Sequence, residues 1–302
     1  LACKIIAAGQ KKFGENFVSV YIDTEQSITQ NRLNQLGCVY PVGIINDGIT
    51  LEKVFSIIDN LCEFKEKYKL LDYPSCVVWD SIANTLSEKS MSETEISAGI
   101  DDAPKILKHL ISRYLPKIKK YNISLLCINQ LRDKIVMNPY AGVDRQLTFL
   151  AANKKIPGGT ALIYNSSQIL YIKQREKVDD YGFKGVKVSM FTAKNRFFTP
   201  AVEIDTIYDF SRGFLNFWTD YEFLKKNKRI TVNGGWVSLL HYSGGKCFQK
   251  EVLNKYKTDE EFRKEWNNNL REALDELHNS IVSTIKDSIE SDNLSSNISE
   301  TS

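Results

Sequence analysis

Phe17-Val18-Ser19-Val20-Tyr21-Ile22-Asp23-Thr24-Glu25 is a largely apolar run that ends abruptly in acidic and hydroxylic side chains. Its length suits a strand better than a helix, and apolar residues at successive positions predict a strand buried on both faces, as in a parallel sheet covered by helices. The polar end then falls at the carboxyl edge of the sheet, where such sheets bind ligands. Cys76-Val77-Val78-Trp79-Asp80-Ser81 repeats the pattern, and Leu125-Leu126-Cys127-Ile128-Asn129-Gln130 does so again. Polar residues are thereby expected along one rim.

Working outward, strands are expected at Phe17–Asp23, Cys76–Asp80, Leu125–Asn129 and Ile169–Lys173. Helical stretches at Leu1–Phe13, Ile28–Leu36, Leu51–Lys69 and Ala103–Tyr121 separate them. Strands alternating with helices predict an α/β fold with a mostly parallel sheet. Val186–Ala193 and Val202–Tyr208 follow closely enough to form an antiparallel or mixed edge. From Thr219 the character changes: a short helix at Tyr221–Lys226, a hairpin turning at Asn233-Gly234-Gly235, and helices at Gln249–Tyr256 and Glu260–Lys286. We therefore expect a core over residues 1–218, a small α+β C-terminal domain over 219–286, and a disordered acidic tail over 287–302.

The net charge of +3 is too small for a global field to drive nucleic-acid binding, so any such binding has to come from local patches. The cysteines at 3, 38, 62, 76, 127 and 247 show no paired spacing and read as reduced core thiols. No run reaches the ~20 apolar residues of a membrane span, and the expected setting is the cytoplasm. His109, His241 and His278 are far apart and have neither zinc nor nucleophile spacing.

The residues between Leu131 and Pro157 form the longest stretch without a predicted element, a length that compact domains usually reserve for function. It holds Arg132, Lys134, Arg145, Lys154 and Lys155 with Tyr140 and Phe149 interleaved, and Gly158-Gly159 closes it. Asp80, at the end of an apolar strand, is placed to orient Mg²⁺ and its waters. Glu25 is placed to polarise a water for attack on a phosphate. Each has a structural reading as well: a buried strand often ends in Asp, and a helix often begins with an acid.

Taken in order, Leu1-Ala2-Cys3-Lys4-Ile5-Ile6-Ala7-Ala8-Gly9-Gln10, Tyr21-Ile22-Asp23-Thr24-Glu25, Val77-Val78-Trp79-Asp80-Ser81-Ile82-Ala83, Cys127-Ile128-Asn129-Gln130-Leu131-Arg132, Pro157-Gly158-Gly159-Thr160-Ala161-Leu162 and Lys194-Asn195-Arg196 resemble the motif series of the RecA recombinase family, most of all its phage UvsX-type branch. The likeness runs from about Leu1 to Val237. It implies a RecA-like P-loop NTPase core and an ATP- and Mg²⁺-dependent, DNA-stimulated ATPase. Such a protein forms helical filaments on single-stranded DNA, pairs it with duplex DNA and promotes strand exchange in recombination and repair. Mediator and single-strand-binding proteins are the implied partners, and no membrane is involved.

By the same resemblance Glu25 is the catalytic carboxylate, Asp80 the Mg²⁺-supporting acid and Gln130 the γ-phosphate sensor. Lys194 and Arg196 reach a neighbouring subunit's ATP, and Tyr208 lies near a base across that interface. Arg132, Lys134, Arg145, Phe149, Lys154, Lys155, Gly158 and Gly159 belong to the second DNA-binding loop, and residues 87–102 to the first. The chain also departs from the pattern. Arg32 and Asn31 stand near the place where an adenine-stacking aromatic is usual, the segment Ser87-Glu88-Lys89-Ser90-Met91-Ser92-Glu93-Thr94-Glu95 is acidic for a phosphate partner, and Gly-x-x-x-x-Gly-Lys-Ser/Thr is missing. The expectation is of a chain beginning just after that loop, inactive by itself. Lys225, Lys226, Lys228 and Arg229 lie in the region that resembles the family's duplex-capturing small domain. The alternative, from another class, is a non-catalytic recombination mediator that has kept the fold and lost nucleotide chemistry.

Overall fold

The computed structural model describes residues 1–92, 102–133, 154–179, 182–197 and 202–299. They fall into two compact units, Leu1–Ser166 and Ser167–Ser302.

The first unit contains α1 (Ala2–Phe13), β1 (Ser19–Asp23), α2 (Gln30–Gln35), β2 (Gly43–Ile45), α3 (Leu51–Lys67) and β3 (Ser75–Asp80). After these come α4 (Glu88–Ser92), α5 (Ala103–Lys120), β4 (Ile123–Ile128), β5 (Arg132–Asp133), β6 (Lys154–Lys155) and α6 (Thr160–Asn165). The principal sheet has the order β2-β1-β3-β4, and every pairing in it is parallel. β1 and β3 run in register from Ser19 opposite Cys76 to Asp23 opposite Asp80.

Successive residues of β3 serve opposite faces of the sheet. Val77 and Trp79 pack with Leu51, Val54, Phe55 and Ile58 of α3, whereas Cys76 and Val78 pack with Ala2, Cys3 and Ile6 of α1. This two-sided burial is why the strand sequences read as continuous apolar runs. Complete burial of a side chain such as Trp79 or Ile58 stabilises by roughly 1.5–3 kcal/mol. Thr29 and Thr50 cap α2 and α3 by accepting from the N–H groups of Arg32 and Lys53. The short β2 was not expected; its three residues are below the length at which a periodic pattern can register.

The second unit contains β7 (Gln168–Val178), β8 (Gly185–Asn195), β9 (Glu203–Asp209), β10 (Gly213–Phe214), α7 (Asn216–Lys226) and the strands β11 (Ile230–Asn233), β12 (Trp236–Leu239) and β13 (Cys247–Phe248). It ends in α8 (Val252–Thr258) and α9 (Glu260–Ser299). Here a correction is needed: Ile169–Lys173, expected in the parallel sheet, belongs to β7, which pairs antiparallel with β8 in a separate sheet of order β10-β9-β8-β7. The reason lies in the connection. Residues 179–184 are enough for a hairpin but too few for the crossover that a parallel partner requires.

The hairpin at Asn233-Gly234-Gly235 forms as expected, with Asn233 opposite Trp236 and both glycines at positive φ. Phe183, Ile207, Trp218, Tyr221, Leu224, Val237, Phe262 and Trp266 share one core, so residues on both sides of position 218 contribute to it. α9 continues through Ser299, across most of the segment expected as a tail.

Candidate functional site at the carboxyl rim of the parallel sheet

The parallel register brings the ends of β1, β3 and β4 to one edge, and the side chains there bond to one another. Tyr21 and Asp23 share a face of β1, and Asp80 stands opposite Asp23. The Tyr21 hydroxyl accordingly donates to Asp80 Oδ2 at 2.6 Å. Burial and the Asp80 carboxylate both raise the Tyr21 pKa, keeping the phenol protonated as a donor. Asp80 itself is pushed above the ordinary carboxylate value, first by burial and then by the neighbouring Glu25 and Asp23 charges, against the lowering effect of the Tyr21 bond.

Asp23 is wholly buried and accepts from the backbone N–H groups of Glu25 (3.1 Å), Ser27 (2.7 Å) and Ile28 (2.7 Å). It therefore shapes the turn that carries Glu25, and its oxygens are occupied in doing so. Thr24 ties the two strand ends together, its hydroxyl donating to Asp80 O at 3.0 Å and accepting from Ser81 N–H at 2.9 Å.

Glu25 is exposed, yet its Oε1 is held by donors from separate parts of the chain: Ser81 Oγ at 3.2 Å, Asn84 Nδ2 at 3.0 Å and Gln130 Nε2 at 2.6 Å. Gln130 follows β4, where Asn129 Oδ1 accepts from its backbone N–H and Asn129 Nδ2 donates to Pro157 O. Arg132, two residues further on, donates from Nη2 to Ala83 O at 2.7 Å. β5 and β6 then pair antiparallel, with Arg132 opposite Lys155 and Asp133 opposite Lys154. This short ribbon joins the two ends of segment 134–153 directly beside the Glu25 network. Lys134, Arg145 and Phe149 lie outside the described residues, as do positions 93–101 of the expected first loop.

Gly158 and Gly159 adopt φ of 82° and 77°. A Cβ on Gly158 would come within 2.9 Å of Leu107 Cδ2 and 3.1 Å of Ile82 Cγ2, so this glycine lets the loop's end seat on the core. Arg32 is half-buried on α2 and donates to Gln35 Oε1 at 3.3 Å.

The other expected site residues belong to the second unit. Lys194, opposite Ile169, lies near the end of β8, and Arg196 follows the strand, donating its backbone N–H to Ser167 O at 2.9 Å. Burial, then the nearby Arg196 charge, lowers the Lys194 pKa. Tyr208 packs edge-on against Phe214, with ring centroids 5.1 Å apart.

Reading the sequence missed Tyr21, Ser81 and Asn84. For Tyr21 the signal was available: a hydroxyl two residues before Asp23 on the same face of the strand. Ser81 and Asn84 lie just after Asp80, but only the folded chain shows that they turn toward Glu25.

No protein-family model matches the chain. It is 26% identical to protein RecA of Mycoplasma mobile over 258 residues, covering 84% of this chain and 72% of that one. It is 24% identical to protein RecA of Aquifex aeolicus over 258 residues, covering 85% of this chain and 68% of that one. Among solved structures, that of the RadB recombinase covers 70% of this chain and 85% of its own, at 16% identity and a TM-score of 0.40. In sequence, then, the chain is similar to RecA proteins over more than four-fifths of its length.

Proposed function

We propose that the chain carries the catalytic rim and the DNA-facing loop of a RecA-type recombinase, an ATPase that assembles on single-stranded DNA and exchanges it with duplex. The observation that carries this reading is the 2.6 Å bond from Gln130 Nε2 to Glu25 Oε1, made beside the ribbon that closes segment 134–153. A carboxylate suited to activating water is thereby linked, through one side chain, to a loop rich in cations. ATP supplies the γ-phosphate when bound. Glu25 accepts a proton from the attacking water, and Gln130, leaving Glu25 for a phosphate oxygen, alters the path of the chain into the loop.

Asp80 fits a supporting role toward Mg²⁺. Its Oδ2 is held by Tyr21, its charge is disfavoured by burial and by two neighbouring carboxylates, and a cation offsets both effects. Among the described residues no group of acidic, histidine or cysteine side chains is placed to cage a metal, so water and phosphate oxygens would have to complete the shell, as is usual for Mg²⁺. Lys194 and Arg196 act on a neighbouring subunit's nucleotide in the filament, and Tyr208 lies near its base. Arg32 offers a guanidinium plane to adenine. Arg132, Lys154 and Lys155, with Lys134, Arg145 and Phe149, contact the DNA backbone and bases, giving sequence-tolerant, salt-sensitive binding.

The test is Glu25→Gln in the full-length product of the reading frame, assayed for ATP binding and for hydrolysis with single-stranded DNA. Nucleotide binding is expected to persist while turnover falls by roughly 10²–10⁴-fold. Near-normal hydrolysis places the base elsewhere. Absence of nucleotide binding by the unmodified protein favours the mediator reading.

A further inference from the structure

Glu25 is held unevenly. Its three donors, Ser81 Oγ, Asn84 Nδ2 and Gln130 Nε2, all reach Oε1, and among the described residues no hydrogen bond goes to Oε2. A carboxylate oxygen offers about two lone-pair directions, so Oε1 is saturated while Oε2 keeps its full capacity to take a proton. A base clamped on one oxygen is aimed with the other.

The three donors differ in how firmly they are anchored. Gln130 follows β4 at the start of the ribbon, where the chain passes toward segment 134–153. Ser81 and Asn84 belong instead to the turn after β3, whose middle is a single 3₁₀ turn, Ile82–Asn84. Ile82 is buried in the core that α3 covers, and Leu86 O, just beyond, accepts from Leu51 N–H at 2.9 Å. Within the turn the Thr85 hydroxyl donates to Ser81 O at 2.8 Å and accepts from Nε1 of the fully buried Trp79 at 2.8 Å. Thr24 Oγ1 accepts from Ser81 N–H at 2.9 Å, and Asn84 N–H donates back to Ser81 O at 3.3 Å. The backbone that carries Asn84 is therefore fixed by the core, although the residue itself is exposed.

We infer that Asn84, supported by Ser81, is a positioning residue that selects Oε2 of Glu25 as the proton acceptor and keeps it aimed once Gln130 has left. The assignment rests on the proposed function for the role of Glu25. When Gln130 moves to a phosphate oxygen, Asn84 and Ser81 still engage Oε1. The attacking water then gives its proton to Oε2 as its oxygen bonds the γ-phosphorus, and the bridging oxygen leaves on ADP with the electron pair. An exposed glutamate otherwise samples many rotamers, and donors fixed in advance remove that ordering cost from the reaction.

Asn84→Ala in the full-length product of the reading frame is expected to lower kcat for ATP hydrolysis ~10–10²-fold while KM for ATP stays within about 2-fold. Asn84→Asp, of nearly the same size, removes the donor and sets a second negative charge beside Glu25, so it is expected to lose more than Asn84→Ala. Asn84→Gln keeps the amide and is expected to regain part of the loss. In a Glu25→Gln background, Asn84→Ala is expected to cost nothing further, because the two side chains act as a unit. An unchanged kcat in Asn84→Ala overturns the assignment, as does a loss confined to KM, an Asn84→Asp variant as active as the unmodified protein, or losses that multiply in the double variant. One readout needs no hydrolysis: the Asn84 side-chain amide signal in the NMR spectrum, recorded without nucleotide, is expected to move on Glu25→Ala. An unmoved signal overturns the clamp. A moved signal in a protein unable to hydrolyse ATP retains the clamp on Glu25 while removing the recombinase reading.

Discussion

The two units use sheets in opposite ways. In the first, parallel strands all end on one edge, so the polar residues that interrupt the apolar runs, Asp23, Asp80 and Asn129, collect there, and Asp80 and Asn129 bond to groups far away in sequence. In the second, neighbouring strands alternate direction, and charged side chains spread over the sheet as pairs such as Arg175–Glu203 and Lys187–Glu176. Parallel topology concentrates polar chemistry at a rim; antiparallel topology distributes it over faces. The first unit accordingly gathers its polar groups at one place, and the second spreads them over surfaces.

The comparison breaks first at the core beneath the rim. Trp79 is fully buried, edge-on to Phe55, and its Nε1 donates to Thr85 Oγ1 at 2.8 Å, within the turn after β3. Trp79→Ala is expected to destabilise the first unit by ~3–5 kcal/mol, read as a shifted denaturation midpoint for probes in that unit. An unchanged midpoint would mean that the rim does not depend on the two-sided core. The glycines sharpen the same contrast. Gly158→Ala is expected to cost ~2–3 kcal/mol, because a positive φ is combined with contact against Leu107 and Ile82. Gly234→Ala, in open space, is expected to cost only ~1 kcal/mol for its backbone. Equal costs measured by chemical denaturation would show that the packing under Gly158 contributes nothing.

The smallest effect concerns Asp220 in α7, whose carboxyl is pushed up to about 6 by burial. Since its folded value lies above its unfolded one, the stability it contributes is complete below about pH 4 and is lost as pH rises through about 6. Asp220→Asn is therefore expected to be the more stable form at pH 7, by ~1–2 kcal/mol once partial exposure is allowed for, and to converge with the native protein below pH 4. A constant difference across a pH series of melts would assign the effect to something other than titration of this group.

Much of this was legible in the sequence, and for identifiable reasons. The apolar runs ending in Asp23, Asp80 and Asn129 announce buried strands, because a strand covered on both faces has few positions for polar groups except its ends. Gly234-Gly235 announces its hairpin through backbone conformation alone. Ile169–Lys173 misled because a short apolar run has the same appearance in a parallel and an antiparallel sheet, and only the length of the following connection separates the two.

Lys65 shows the limit from the other side. Its neighbours on α3 suggest a solvated cation, yet it is 0% exposed, donating from Nζ to Tyr73 O at 2.6 Å and to Ser75 Oγ at 3.0 Å, and burial lowers its pKa. Sequence by itself determined what is local and periodic: β1, β3 and β4 with the helices α1, α2, α3 and α5, the polar rim and the glycine turn. Tertiary structure alone decided which donors hold Glu25, that Tyr21 bonds Asp80, and that the last strands form a sheet of their own. Those outcomes depend on pairing between residues far apart in the chain, and such pairing is settled by register and packing, which no single stretch of residues encodes.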